Sequence, residues 1–119
     1  MDLSKIRKQI STDISKRTKL EKELLNSYYR IEMGSLIKRY VLCGKPGCKC
    51  AKGAKHGPFL YLYKAVNGKN IRSYINKKDI KLIKALERYK VFQQKLAEVR
   101  ILNKGINELF NDLRDGLSK

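Results

Sequence analysis

The chain has 119 residues, 42% of them hydrophobic and 33% charged, with 28 Lys and Arg against 11 Asp and Glu, a formal net charge of +17 and a pI near 10.0. That length holds one domain, or one small domain with helical arms; no apolar run approaches the roughly 18 residues of a membrane span, the N-terminus Met1-Asp2-Leu3-Ser4-Lys5 lacks the apolar region of a signal peptide, so a cytoplasmic protein is expected, and three cysteines, an odd number, argue against a disulfide framework. A balance this basic points to a polyanion partner: DNA, RNA or an anionic surface.

Residues 2 to about 31 read as one amphipathic helix. Its apolar positions are Leu3, Ile6, Ile10, Ile14, Leu20, Leu24, Tyr28 and Ile31, mostly three or four apart. The stripe is narrow, closer to a coiled-coil seam than to a broad core face, so it needs another helix. Met33-Gly34-Ser35 breaks the pattern, and residues 36–42 read as a strand. Residues 43–58 are rich in Gly, Lys and Cys and read as a loop. Residues 59–66 are aromatic and apolar, hence a second strand. Asn67-Gly68 is a strong hairpin signal of type I′, and residues 69–75 return as the partner strand. Asn76 can cap the next helix, with Asp79 near its N-terminal dipole. That helix carries Ile80, Ile83, Leu86, Tyr89, Phe92, Leu96, Val99 and Leu102. Asn103-Lys104-Gly105 signals a stop or kink, and Ile106, Leu109, Phe110 and Leu113 form a last amphipathic stretch. The chain therefore divides into an N-terminal helix (1–33), a central sheet segment (34–76) and a C-terminal long helix with a break near 103–105 (77–119).

The charge is unevenly spread. Residues 33–78 hold eleven basic residues and no acidic one. An ordinary solvated surface mixes both signs, and a Lys-rich proteome adds lysines without removing carboxylates from one segment. The pattern suits a surface that meets phosphates. The residues expected to do so are Lys38, Arg39, Lys45, Lys49, Lys52, Lys55, Lys64, Arg72, Lys77 and Lys78, helped by Lys81 and Lys84.

All three cysteines and the single histidine fall within 14 residues, as Cys43-x4-Cys48-x-Cys50-x5-His56. Three thiolates and one imidazole match a tetrahedral structural zinc site. The intervening glycines let the backbone turn tightly, and the lysines favour the thiolate form. The competing readings are free thiols, or a Cys48–Cys50 redox pair that leaves Cys43 and His56 without a role. Four protein ligands close the coordination shell, whereas a catalytic zinc keeps one position open. The H-x-E and P-C-x-x-C spacing of zinc deaminases is absent, and no carboxylate lies within ten residues of any of the four. No nucleophile–base pair is visible either, so no enzyme is expected.

The two-residue turn fixes the hairpin register. Val66 faces Lys69, Lys64 faces Ile71, Tyr63 faces Arg72, Leu62 faces Ser73, Tyr61 faces Tyr74 and Leu60 faces Ile75. One side of the ribbon then carries Phe59, Tyr61, Tyr63, Arg72 and Tyr74. The other carries Leu60, Leu62, Val66, Ile71 and Ile75. The aromatic side can stack bases and grip phosphates, or it can pack against a long helix with its hydroxyls at the rim. Packing is the favoured expectation of the two.

At Cys43-Gly44-Lys45-Pro46-Gly47-Cys48-Lys49-Cys50, followed by His56-Gly57-Pro58-Phe59, the sequence resembles a family of short prokaryotic proteins of unknown function. That family's pattern is C-G-K-P-x-C-x-C, a few residues, then H-G-P and an aromatic strand. A Gly-Lys turn follows, as in Gly68-Lys69, then a strand ending in Tyr and an aliphatic, as in Tyr74-Ile75, and a long helix. The likeness spans residues 34–102. It implies that Cys43, Cys48, Cys50 and His56 act together, and it implies no reaction. The N-terminal helix is less tied to the pattern.

The whole reads as an α+β protein: two long helices, as an antiparallel arm or coiled coil, flank a zinc-stabilised three-stranded antiparallel sheet. Its expected role is non-catalytic nucleic-acid binding dominated by the phosphate backbone, since the basic segment holds nine Lys to two Arg and Lys is a point charge rather than a base reader. DNA stands slightly ahead of RNA, on class frequency alone. The alternative is a protein-interaction module, or an accessory subunit of a nucleoprotein complex, acting through the helical stripes. Those stripes also suit a homodimer or a larger protein partner.

Overall fold

The computed structural model describes residues 2–27, 29–42, 47, 53 and 55–119. The order of elements is α1 (Leu3–Leu25), β1 (Ser35–Val41), β2 (His56–Val66), β3 (Lys69–Ile75) and α2 (Ile80–Leu117). The fold is α+β, with two helices and one three-stranded antiparallel sheet in the order β1-β2-β3. The chain forms two compact units. One holds residues 1–28 and 91–119, the other residues 29–90.

In the helical unit, Asp2 caps α1 by accepting a hydrogen bond from the Ser4 amide at 2.9 Å. This satisfies an amide that has no intrahelical partner. The helix ends at Leu25, short of the expected residue 31, because Asn26 takes the C-cap and the Ser27 hydroxyl turns back to the Glu23 carbonyl. Ile6 and Ile10 of α1 are buried, as are Val99 and Ile106 of α2. The half-buried residues of α1 continue that row through Ile14, Arg17, Leu20 and Leu24, the narrow seam its sequence prescribes. The Arg17 guanidinium donates to the Asn103 side chain at 2.9 Å, and Lys95 pairs with Glu23 at 3.4 Å. A Cβ on Gly116 would run into the Leu3 side chain. The stop expected at Asn103-Lys104-Gly105 does not occur, and α2 continues as helix through it. One glycine inside a helix costs only about 1 kcal/mol, which burial of Ile106 offsets. Phe110 and Ile80, expected on the apolar stripe, are exposed.

In the sheet unit, the hairpin forms in the register that its turn dictates, pair for pair from Leu60↔Ile75 to Val66↔Lys69. Both turn residues take positive φ, 51° at Asn67 and 77° at Gly68, as a type I′ turn requires. β2 begins earlier than expected, at His56. Between the pairs Arg39↔Phe59 and Val41↔His56, two residues of β2, Gly57 and Pro58, oppose the single Tyr40 of β1. That is a bulge, the one place where a central strand tolerates a proline. Gly57 has φ +130°, and a Cβ there would lie 2.6 Å from the Arg39 carbonyl oxygen. The position therefore demands glycine.

The core of this unit is Leu60, Ile75 and Leu86, with Leu36, Leu62, Leu82 and Ile83 packed around it. Every strand residue in that list lies on the aliphatic side of the sheet, so the first turns of α2 cover that side. Asp79 accepts from the Leu82 amide at 3.2 Å and thereby caps α2. Asn76, the expected cap, instead accepts from the Lys78 amide within the preceding turn. The Glu32 amide donates to the Ala85 carbonyl, and Arg88 lies 4.8 Å from the centre of the Tyr29 ring. These contacts hold residues 29–32 beside α2.

Candidate functional site

The alternation of strand side chains decides what the sheet presents. On the side away from the Leu60–Ile75–Leu86 core, β2 places Phe59, Tyr61 and Tyr63. β3 places Arg72 opposite Tyr63 and Tyr74 opposite Tyr61. β1 places Arg39 opposite Phe59 and Ile37 opposite Tyr61. Within this unit the first turns of α2 pack on the opposite side of the sheet from these rings. Leu36, Leu60, Leu62 and Ile75 on that side form the core with Leu82, Ile83 and Leu86 of α2.

The ring side is ordered by its own contacts. Tyr61 and Tyr74 meet edge to face, their centroids 5.8 Å apart, a favoured aromatic geometry. The Arg72 guanidinium lies over Tyr61, 5.3 Å from the ring centre. The hydrogen bond that Arg72 donates to the Tyr63 hydroxyl pulls that phenol below its ordinary pKa, aided by the charges of Arg72 and Arg39. The same bond raises the pKa of Arg72. Arg39, Arg72 and Tyr74 are exposed, and Phe59, Tyr61 and Tyr63 are half-buried. The face therefore combines four aromatic rings with the positive charges of Arg39 and Arg72.

The remaining basic residues are placed differently. Lys38 and Lys64 point to the aliphatic side, at its exposed margin, and Lys64 pairs with Glu32 at 3.6 Å. Lys55 is exposed just before β2, and Lys77 and Lys78 are exposed in the turn before α2. Lys45, Lys49 and Lys52 lie outside the described residues. So do Cys43, Cys48 and Cys50. His56 is described. It opens β2, is half-buried, and pairs across the sheet with Val41, two residues before Cys43. Arg39's place on the ring face is what sequence reasoning missed. No tight turn joins β1 to β2, so nothing local fixed which of Lys38 and Arg39 shares a face with the tyrosines.

A family model for a domain of unknown function, DUF6788, matches residues 5–85. The chain belongs to that family. The DUF6788 match begins within α1 and ends at the buried Ala85, so the N-terminal helix is part of the family's domain and most of α2 lies beyond it. This corrects the span of 34–102 read from the motif, and the tie between α1 and the pattern is closer than the motif suggests. No curated protein and no solved structure matches the chain. No helix among the described residues is long and apolar enough to cross a membrane.

Proposed function

We propose that this protein is a non-catalytic, zinc-containing nucleic-acid-binding protein whose affinity comes mainly from the phosphate backbone, with DNA slightly ahead of RNA. The observation that carries this reading is the side of the sheet left by α2. It presents Arg39 and Arg72 among Phe59, Tyr61, Tyr63 and Tyr74, inside a 46-residue segment (33–78) that lacks any carboxylate. Fixed cations without acidic neighbours favour polyanions, and rings between them suit nucleotides better than a bare anionic surface. Lys45, Lys49, Lys52 and Lys55 extend the positive charge along the cysteine segment, and Lys77 and Lys78 along the α2 approach.

Zinc belongs in this reading through Cys43, Cys48, Cys50 and His56. Thiolates and imidazole are the donor set zinc prefers. The Val41↔His56 pairing supports it, because the cysteine segment leaves and re-enters the sheet at the same end of β1 and β2. The metal, when bound, would give the cysteine segment an anchor, since its polar residues offer little core of their own. The helices are read as an antiparallel arm. Leu3 neighbours Gly116, Arg17 bonds Asn103 and Glu23 pairs with Lys95, so positions advance along α1 as they retreat along α2.

The test is a gel-shift titration of zinc-loaded protein against duplex DNA, single-stranded DNA and structured RNA of equal length, with Cys48→Ser alongside. Tight binding that weakens with salt and in the mutant supports the reading. Weak, equal binding of all three that is indifferent to the mutation sinks it. A protein-interaction role is favoured by one observation, the exposure of Leu25 (83%) and Ile101 (71%) in the helical unit. Under that role the chain ignores free nucleic acid at moderate salt, and sedimentation reports a homodimer or a complex.

A further inference from the structure

We infer that the ring face of the sheet binds unpaired bases, so that the ligand is single-stranded nucleic acid laid across β1, β2 and β3 rather than a duplex. This rests on the nucleic-acid reading above and adds the form of the ligand to it. Four rings lie on one face: Phe59, Tyr61 and Tyr63 at alternate positions of β2, and Tyr74 beside Tyr61 on β3. Alternate residues of a strand stand about 6.8 Å apart, so the rings form a row. Tyr74 is 61% exposed, the most accessible ring of the row. In a duplex, bases are stacked on each other and offer only their edges in the grooves. A ring row has nothing to stack on there, whereas a single strand offers every base face.

The cations are of the matching kind. The two on this face are the only arginines between residues 33 and 78, and every other basic residue of that segment is lysine. Guanidinium is planar, stacks on rings and bases, and takes phosphate with two parallel hydrogen bonds. Arg72 already lies over Tyr61 and bonds Tyr63, so its plane is held before a ligand arrives, which lowers the entropy lost on binding.

The experiment uses the full zinc-loaded chain and four probes of equal phosphate count: oligothymidylate, oligouridylate, an abasic oligodeoxyribose phosphate, and a duplex. The expected result is that one or both of the single strands with bases bind at least about fivefold tighter than the abasic strand and the duplex. Tyrosine fluorescence should fall with those strands and hold steady with the abasic one. Tyr74→Leu should remove the preference for bases, Tyr74→Phe should keep it, and Arg72→Lys should reduce it. Tyr74 and Arg72 are exposed, so neither change threatens the core, and a thermal melt confirms the fold. If abasic strand, duplex and single strands bind alike and with salt dependence, the stacking inference fails while phosphate binding stands. If no probe binds, the nucleic-acid reading fails as well, and the inference with it.

Discussion

Tyr63 lies across from Arg72 and within reach of Arg39, and its phenol is lowered chiefly by the hydrogen bond from Arg72. In the unfolded chain that bond is gone and the phenol returns to about 10. Between the folded and unfolded values the unfolded chain holds more protons, so this group makes stability rise with pH there. As pH falls through the folded value, the contribution vanishes. Arg72→Ala should therefore move the Tyr63 titration up toward its ordinary alkaline value, read by ultraviolet absorbance or by NMR of the ring. An unchanged titration in the variant would show that the bond does not hold in solution. Gly57 makes a second prediction at the same scale. With φ +130° and the Arg39 carbonyl 2.6 Å from any Cβ, Gly57→Ala should lower stability by about 1–3 kcal/mol. Thermal or urea unfolding measures this, and a neutral result would mean that the bulge relaxes freely. The sequence shows the glycine but not the carbonyl that faces it, because the opposing residue comes from a strand joined through 14 intervening residues (42–55).

The elements differ in how far local rules decide them. The β2–β3 hairpin follows from its sequence in full, since Asn67-Gly68 sets the turn and the turn sets the register. The side that α2 covers is the aliphatic one, the better core by its sequence, and Leu82, Ile83 and Leu86 reach it in the first turns after β3. The seam of α1 is legible at Ile6 and Ile10, which are buried as their spacing requires. The end of α1 is not, because Tyr28 and Ile31 continue the apolar spacing past the cap at Asn26. Gly105 separates two accounts of α2. The residue lies inside the helix, and a Cβ there meets no atom within 4 Å. Gly105→Ala should then raise stability by about 0.5–1 kcal/mol, read as a higher urea midpoint. A C-terminal glycine cap at that position would make the same change destabilising. Leu86, only 1% exposed, joins α2 to Leu60 and Ile75. Leu86→Ala should cost about 2–5 kcal/mol, and a loss below 1 kcal/mol in denaturant unfolding would contradict the packing of α2 on the aliphatic side.

At the scale of the whole molecule, the net charge of +17 sets the long-range field, while the placement of rings and arginines sets what it can recognise at contact. The candidate site was only half legible. Phe59, Tyr61, Tyr63, Arg72 and Tyr74 share a face by simple alternation, but Arg39 joins them only through the β1 register. The proposed zinc ligands Cys43, Cys48, Cys50 and His56 are read from donor type and spacing alone. Elemental analysis should find equimolar zinc in the purified chain, and chelation should lower both the melting temperature and nucleic-acid affinity. Zinc-free protein with full stability and binding would remove the metal from the account. The most direct measurement is the affinity of the full zinc-loaded chain for an unpaired oligonucleotide across a series of salt concentrations. With about five phosphates neutralised, log K should fall against log salt with a slope of about −3.5, or about −4.5 if the ligand were a duplex. A flat dependence, or no measurable binding at low salt, would contradict the claim that this surface exists to hold a polyanion.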